Sequence, residues 1–406
     1  MPRLGRAARP WLFALAGLAV AAAPVSAGNE TMTFRAGCAT GERAVIAAVG
    51  DLLFHNALQR QALTSTGSYQ RFWRPLSPVL SGADLTYGNL EGPVAAGVAL
   101  GGYAVKDPGR RLDGRVYGAP RGALVFNYHP SLAVELKETG FDVVSTANNH
   151  AADRGALGMD RTIDALDAAV LAYSGTRRRI AAPDHRWAVK TRTGGMTIAW
   201  IACTYSTNGM PDRHGQALNC YTARDKVLEE IRWNAQDPDV DAVILTPHWG
   251  IEKSPTPLST DRTYARDAIE AGATAVIGTH PHVLQGWEKI ATPDGREGLV
   301  VYSTGNFISN QVSDDQRTGV IALVELTRTS NTRVAVSAAG FIPTWVERGR
   351  HQVAEMRIDK QRGDRAYSSS LRRLPTGNHV TAADFRNLPR ACPVSAVTEG
   401  TMASVR

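Results

Sequence analysis

The sequence has few cysteines and lacks several motifs that identify common catalytic classes. Its four cysteines show no C-x-x-C spacing, which disfavours a thiolate metal site. No glycine-rich phosphate-binding loop is present, and no serine or cysteine lies in a nucleophile-elbow context. No internal repeat is found either. These absences disfavour a phosphate-loop protein, an enzyme with a covalent serine or cysteine nucleophile, and a repeat architecture.

Long apolar runs are also missing, except at the N terminus. Arg3, Arg6 and Arg9 precede an apolar run at 11–23, which small residues follow up to Ala27. The run is shorter than the roughly 20 residues that span a bilayer, so it predicts a secretory signal peptide at 1–27. An uncleaved anchor is the alternative. Export by the general route would place the protein in the periplasm or at the cell surface, with no stable membrane span after signal removal.

The excess of positive charge is small. The formal net charge is +7, and removing the three arginines of the leader lowers it to about +4. This balance does not predict a nucleic-acid partner. It is compatible with an anionic polymer or phosphoester substrate, and equally with an ordinary solvated surface. Two arginine runs, at 110–111 and 177–179, are the densest basic segments.

An even number of cysteines in an exported chain favours disulfides. Four cysteines permit three pairings. We favour Cys203 with Cys220, which closes a short loop, and Cys38 with Cys392, which ties the two ends of the chain together. The second bond would hold a C-terminal extension, 361–406, against the domain at 28–360.

Strand-like and helix-like segments alternate along the chain. Short apolar runs predict strands at 44–49, 142–145, 196–202, 242–245, 273–277 and 299–302. Apolar residues at three- and four-residue spacing predict helices at 130–139, 157–170 and 260–271. This alternation predicts an α/β fold, with a mainly open sheet and helices on its faces.

Polar side chains suited to metal ions follow several of these strands. Ligands in open α/β sheets gather beyond the carboxyl ends of the strands, so these side chains are expected to converge. Each one alone has a structural explanation, such as a helix N-cap for Asp51 or a packing role for a single histidine. Their convergence is the signal. The candidate ligands are Asp51, Glu91, Asn149, His248, His280 and His282, with His55 and Asn89 as possible additions.

The sequence predicts a more specific arrangement or role for three histidines and one carboxylate. His280 and His282 lie two residues apart on a segment that Pro281 keeps out of a helix, so an extended backbone would point both rings to the same side. His150 follows two asparagines and is a candidate proton donor. Asp153 is placed to orient it, and we assign both residues to catalysis.

Taken together, the ordered motifs resemble the CapA capsule-synthesis family, often described as poly-γ-glutamate synthesis proteins, within the calcineurin-like metallophosphoesterase superfamily. The resemblance spans roughly residues 44–326. It is carried by Val49-Gly50-Asp51, Gly88-Asn89-Leu90-Glu91, Thr146-Ala147-Asn148-Asn149-His150, Pro247-His248-Trp249-Gly250, Gly278-Thr279-His280-Pro281-His282 and Tyr302-Ser303-Thr304-Gly305-Asn306-Phe307.

The resemblance implies a four-layer α/β/β/α sandwich with two divalent metal ions, Mn, Fe, Zn or Mg, at the strand ends. It implies that the six candidate ligands hold the ions and that His150 is the general acid of a metal-dependent hydrolase. The superfamily usually has a histidine two residues after the first aspartate, where this chain has Leu53. The expected setting is capsule or poly-γ-glutamate synthesis or processing. The alternative is a non-catalytic polyanion-binding or assembly protein with a structural metal site.

Overall fold

The structure is a computed structural model that describes residues 31–182, 185–329, 334–356 and 369–390. The predicted signal peptide, most of the predicted C-terminal extension and Cys392 lie outside the described residues. The strands are β1 (Arg43–Leu52), β2 (Leu85–Leu90), β3 (Val143–Ser145), β4 (Ala172–Ser174), β5 (Val189–Thr193), β6 (Met196–Thr204), β7 (Ala242–His248), β8 (Ala275–Ile277), β9 (Leu284–Ala291), β10 (Glu297–Thr304), β11 (Asn306–Ile308), β12 (Thr318–Arg328), β13 (Val334–Val346) and β14 (Val353–Glu355). The α-helices are α1 (Asn56–Ala62), α2 (Ser77–Gly82), α3 (Ser131–Thr139), α4 (Gly155–Ala168), α5 (Arg224–Gln236), α6 (Ser259–Ala271) and α7 (Asp314–Arg317).

The strands form two sheets. The first has the order β14-β13-β12-β1-β2-β3-β4, and β11 pairs with the end of β1. Strands β1 to β4 run parallel, whereas β12 to β14 add an antiparallel extension. The second sheet has the order β5-β6-β7-β8-β10-β9, with a parallel centre and antiparallel edges. In both sheets the carboxyl ends of the parallel strands form one edge.

The apolar side chains of the central strands alternate between layers of the core. On β1, Ile46 faces the second sheet while Ala47 packs toward the helices on the outer side. On β7, Ile244 faces the first sheet while Val243 packs with residues of α5 and α6. A strand that is covered on both faces reads as a continuous apolar run, as these strands do. The molecule therefore has three hydrophobic layers between four structural layers, and the predicted α/β/β/α sandwich is confirmed.

Among the strands that extend further than the sequence predicted, β1 and β7 carry candidate ligands. β1 does not stop at Gly50 but continues to Leu52 through a shift of register at Asp51. Such a bulge re-aims a side chain without ending the strand. β7 likewise includes His248 at its last position. Both side chains are consequently held by sheet backbone and not by loops.

One predicted disulfide is present: Cys203 and Cys220 are bonded, with their Cα atoms 5.0 Å apart. Cys38 is also disulfide-bonded, and the pairing predicted for it involves Cys392, outside the described residues. Among the described residues, no helix has the length and apolarity needed to cross a membrane.

Candidate metal centre

The carboxyl ends of β1 and β2 place Asp51 and Asn89 side by side. These two residues are partners in the parallel pairing of the strands, and Asp51 is also the partner of Asn306 on β11. The Asn89 side-chain nitrogen donates to Asp51 Oδ1 at 2.8 Å. All three side chains are fully buried. Asp51 thus presents its carboxylate from a rigid, dry position at the junction of three strands.

The histidines approach this carboxylate from the second sheet. His282 Nδ1 lies 3.0 Å from Asp51 Oδ2 and 3.0 Å from Asn306 Oδ1. His248 Nε2 lies 3.0 Å from Asn149 Oδ1. The His248 and His280 rings have centroids 4.7 Å apart, and those of His280 and His282 are 5.9 Å apart. The two sheets therefore contribute to a single cluster.

Glu91 is the most informative member of the cluster. Both of its carboxylate oxygens are buried without a hydrogen-bond partner among the described residues, and so is His280 Nδ1. Glu91 Oε1 lies 3.8 Å from His248 Nε2 and 3.7 Å from His282 Nε2. A buried carboxylate is costly unless a cation or hydrogen-bond donors compensate it. These orphaned oxygen and nitrogen atoms fit a divalent cation.

Four of the six sequence-predicted ligands and one unpredicted residue form two groups of donor atoms. In each group all three ligand atoms lie within 4.8 Å of one another. The buried group consists of Asp51, Glu91 and His282, and the other joins His280 and His282 with Glu252, which is exposed. Mixed oxygen and nitrogen donors of this kind suit Mn, Fe, Zn or Mg in different degrees. The cluster can therefore hold divalent metal.

Burial and neighbouring charges shift the pKa values of the acidic and histidine side chains in the cluster. Burial, and then the nearby Asp51, raise the pKa of Glu91 well above its usual value. Burial would lower the pKa of His282, but Glu91 and Asp51 outweigh it and raise that pKa to about 9. Burial and then neighbouring histidines lower the pKa of His248 well below normal and that of His280 to about 3. Two imidazoles are thus neutral and available as ligands near neutral pH.

His150 and Asp153 form a separate pair beside the cluster. His150 Nδ1 lies 2.8 Å from Asp153 Oδ2, which also accepts the backbone N–H of Phe126 at 2.6 Å. The Phe126 ring stands edge-on to the imidazole, with centroids 4.6 Å apart. Both side chains are buried. The imidazole is therefore held at one nitrogen and on one face.

Of the two possible additional residues, Asn89 lies in the cluster, whereas His55 forms no hydrogen bond with the other residues of the cluster. His55 Nδ1 accepts the backbone N–H of Asn310 at 3.3 Å, and its ring packs edge-on to Phe126. Burial lowers the pKa of His55 to about 4, with smaller contributions from His282 and His150. In this structure His55 has a packing and hydrogen-bonding role next to the site.

The expected extended backbone at His280 and His282 is wrong. Their φ angles are +99° and +57°, in the left-handed region that non-glycine residues rarely adopt. The segment is a turn after β8, and the turn itself brings both rings into the cluster. Such backbone conformations recur at ligand-binding sites, where the surrounding structure compensates their strain.

Sequence reasoning missed three contributors to the cluster. Glu252 follows His248 by four residues, so its position in the same loop was the available signal. Asn306 belongs to a recognised motif, but its contact with His282 depends on how β11 pairs with β1. Tyr205 packs on His280 with ring centroids 4.4 Å apart, and no sequence pattern pointed to it. Leu53, where a histidine was expected by resemblance, is buried in the hydrophobic core.

Two of the three arginines in the run at 177–179 are ion-paired. Arg178 pairs with Asp164 and Asp167, and Arg179 pairs with Asp160. Arg177 donates to the Gly215 carbonyl and packs over the Trp187 ring. Most of the positive charge of this run is therefore balanced by neighbouring carboxylates.

Most of the chain matches the model of one protein family. The family model of the bacterial capsule synthesis protein PGA_cap matches residues 45–311. The capsule biosynthesis protein CapA of Bacillus anthracis is 27% identical over 329 residues, covering 79% of this chain and 72% of that protein. The PGA biosynthesis protein CapA of Bacillus subtilis strain 168 is 24% identical over 301 residues, covering 71% and 69%.

Solved structures show a more distant likeness. The NAD nucleotidase NadN of Haemophilus influenzae aligns with a TM-score of 0.45 at 10% identity. The alignment covers 85% of this chain and 60% of NadN, so this chain spans less than two thirds of that protein.

Proposed function

The chain belongs to the bacterial capsule synthesis protein PGA_cap family, and on that premise we propose that it is an exported, metal-dependent hydrolase. Its substrate would be an anionic capsule polymer of the poly-γ-glutamate kind or a phosphoester formed during capsule synthesis. The observation that supports this most strongly is Glu91, a buried carboxylate with no hydrogen-bond partner among the described residues, which faces two histidines.

Two divalent ions would be held by residues from both sheets. Carboxylate and amide oxygens with neutral imidazole nitrogens make a donor set that suits such ions. Bound ions would supply Lewis acidity, which acidifies water and neutralises charge on the substrate. The proposed ligands are Asp51, Glu91, Asn149, His248, His280 and His282, with Asn89 holding Asp51 in place.

His150 would supply a proton to the leaving group. Asp153 Oδ2 already accepts the Phe126 N–H, so it is best satisfied as a carboxylate that also accepts a proton-bearing His150 Nδ1. That arrangement leaves His150 Nε2 as the nitrogen that exchanges protons with substrate. Asp153 thus acts by fixing the tautomer and the orientation of the ring.

We also propose that the mature protein begins after Ala27 and works in the periplasm or at the cell surface. The disulfide between Cys203 and Cys220 supports this, because disulfides persist in oxidising compartments. The described part of 361–406 packs on the domain: the Asn378 side-chain oxygen accepts the Met32 N–H at 2.7 Å. N-terminal sequencing of the secreted protein tests the cleavage, and retention of residues 1–27 would contradict it.

The central experiment measures metal content and turnover on the same mature protein. Elemental analysis gives metal per chain, and assays with a phosphodiester, a phosphomonoester and poly-γ-glutamate give turnover. The variants are His280→Ala and, as a matched control, His214→Ala, an exposed histidine that takes no part in the contacts described above. We expect about two ions per chain and metal-dependent turnover in wild type and the control, with turnover lost and at least one ion lost in His280→Ala.

The outcomes separate the hydrolase from its alternative. Metal without turnover on any of the three substrates would contradict a hydrolase of this substrate class and favour a polyanion-binding or assembly role with a structural metal site. Absence of metal under replete conditions would refute the centre itself.

A further inference from the structure

We propose that Glu252 is a further metal ligand, on the solvent-facing side of the centre. This proposal rests on the proposed function, because it assumes that the centre binds metal. Glu252 lies in the segment between β7 and α6. It is exposed, whereas His280 and His282 are buried. Its carboxylate and a ring nitrogen of each histidine all lie within 4.8 Å of one another.

Two members of this group, His280 and Glu252, offer donor atoms without another partner among the described residues. His280 Nδ1 is buried without a hydrogen bond, and no described residue makes a hydrogen bond or ion pair with the Glu252 carboxylate. Donors to one ion lie up to about 4 Å apart, because metal–ligand bonds are about 2 Å long. The donor atoms of this group, all within 4.8 Å of one another, are close to that size. One cation would then satisfy both the exposed carboxylate and the buried imidazole.

The backbone around Glu252 holds it beside the histidine turn. The N–H of Lys253 donates to the carbonyl of Pro281 at 2.7 Å. Because Pro281 lies between His280 and His282, this hydrogen bond ties the Glu252 segment to the histidine turn. The side chain of Gln285 donates to the Ser254 carbonyl at 2.9 Å. Gly250, with φ +86°, makes the turn that returns the segment toward Pro281. The position of Glu252 is therefore built into the fold and does not depend on its own side chain.

Charge and ligand number also favour a third carboxylate. Leu53 is buried in the hydrophobic core and supplies no donor. Without Glu252, only Asp51 and Glu91 oppose the charge of two divalent ions. An added carboxylate improves the neutralisation in a site where the ions are the largest local charges.

The two groups of donors differ in rigidity. Asp51, Glu91 and His282 are buried, whereas the second group depends on one exposed side chain. Side-chain ordering lowers affinity when a flexible ligand must be fixed. His282 belongs to both groups, and because a neutral imidazole binds one ion, we assign it to the inner one. We therefore expect a tightly held inner ion and a weaker, exchangeable outer ion on His280 and Glu252.

The test compares metal binding in wild type, Glu252→Gln, Glu252→Ala and Glu270→Gln. Glu270 is an exposed glutamate on α6 and serves as the matched control. Each protein is stripped with chelator and titrated with Mn²⁺ and with Zn²⁺ by calorimetry, and bound metal is counted by elemental analysis. Unfolding in chelator shows whether the stripped variants remain folded. None of these readouts depends on turnover.

We expect two ions per chain in wild type and Glu270→Gln, and one in both Glu252 variants. The outer affinity should fall by more than about 100-fold, since even residues that only orient ligands affect affinity by about 10- to 100-fold. Two ions in Glu252→Gln with unchanged affinity would overturn the proposal, as would a single ion in wild type that the variant retains. Two ions in wild type and one in the variant, without turnover in either, would support this proposal while contradicting the hydrolase.

Discussion

At the scale of single residues, His150 is the side chain whose removal separates chemistry from metal binding. It is held by Asp153 and is not a proposed ligand. We expect His150→Ala to lower turnover by about 10²- to 10⁴-fold, the usual contribution of general acid–base catalysis, with metal content unchanged. Steady-state kinetics and elemental analysis on one preparation check this. Loss of metal in the variant would show that His150 belongs to the centre.

His55 gives a prediction for the pH dependence of stability. Burial lowers its pKa to about 4 from 6.5, so the unfolded chain takes up a proton at higher pH than the folded one does. Stability is therefore present above pH 6.5 and is lost as pH falls toward 4. This group alone should cost about 2 kcal/mol between about pH 7 and about pH 5.

The check for His55 is urea denaturation of wild type and His55→Asn at both pH values. Asparagine retains an acceptor for the N–H of Asn310, which His55 Nδ1 accepts in the wild type. The variant should lose less stability than wild type on acidification, because the other buried histidines contribute equally to both. Equal losses in the two proteins would mean that His55 is not buried in its neutral form.

Strand ends were enough to predict Asp51, Glu91 and the histidines as neighbours, because the carboxyl ends of parallel strands meet at one edge. They were not enough for Glu252, which lies inside a loop beyond the strand. The position of such a residue depends on tertiary hydrogen bonds, here from Lys253 to Pro281. The strand and helix pattern also does not predict the backbone angles of single residues, as the left-handed φ of His280 shows.

At the scale of structural elements, the disulfide that starts at the end of β6 closes a loop next to the centre. Cys203 and Cys220 are separated by 17 residues, and Tyr205 within that loop packs on His280. Replacing both cysteines with alanine should lower the free energy of unfolding by about 3 kcal/mol, the value expected for a loop of this length.

Urea denaturation at a fixed metal concentration measures that loss, and the wild-type protein in the same buffer is the reference. A change of less than about 0.5 kcal/mol, the range of a neutral surface substitution, would contradict a stabilising role for this bond.

The apolar patterns predicted helices α3, α4 and α6 and most of the central strands, whereas the buried strands β2 and β12 and the long helix α5 were not predicted. β1 and β7 are covered on both faces and read as continuous apolar runs. The antiparallel edge strands β5 and β9 were not predicted either, and β5 is only partly buried. The bulge at Asp51 escaped prediction because it depends on pairing with β11, which is distant in sequence.

At the scale of the whole molecule, the proposed ligands come from both sheets, so metal should stabilise the packing of one sheet on the other. An ion that binds only the folded chain adds about 2.7 kcal/mol when its free concentration is about 100 times its dissociation constant. We expect Mn²⁺ to raise the melting temperature of the stripped protein. The increase should be clearly smaller in His280→Ala.

Differential scanning calorimetry of both proteins, with chelator and with graded Mn²⁺, checks this linkage. Glu270→Gln serves again as the control and should follow wild type. A melting temperature that does not change with Mn²⁺ in wild type would contradict metal bound between the sheets.

The distance along the chain between Asp51 and Asn306 sets the order of events during folding. Asp51 comes from the first strand of the fold, whereas its partners His282 and Asn306 are contributed more than half a chain later. Contacts between such distant positions form late, after the intervening loops have closed. If the chain binds metal as proposed, the ions would enter a nearly finished molecule. Under the proposed export, the metal supply outside the cytoplasm, and not that at the ribosome, would decide which ions the protein carries.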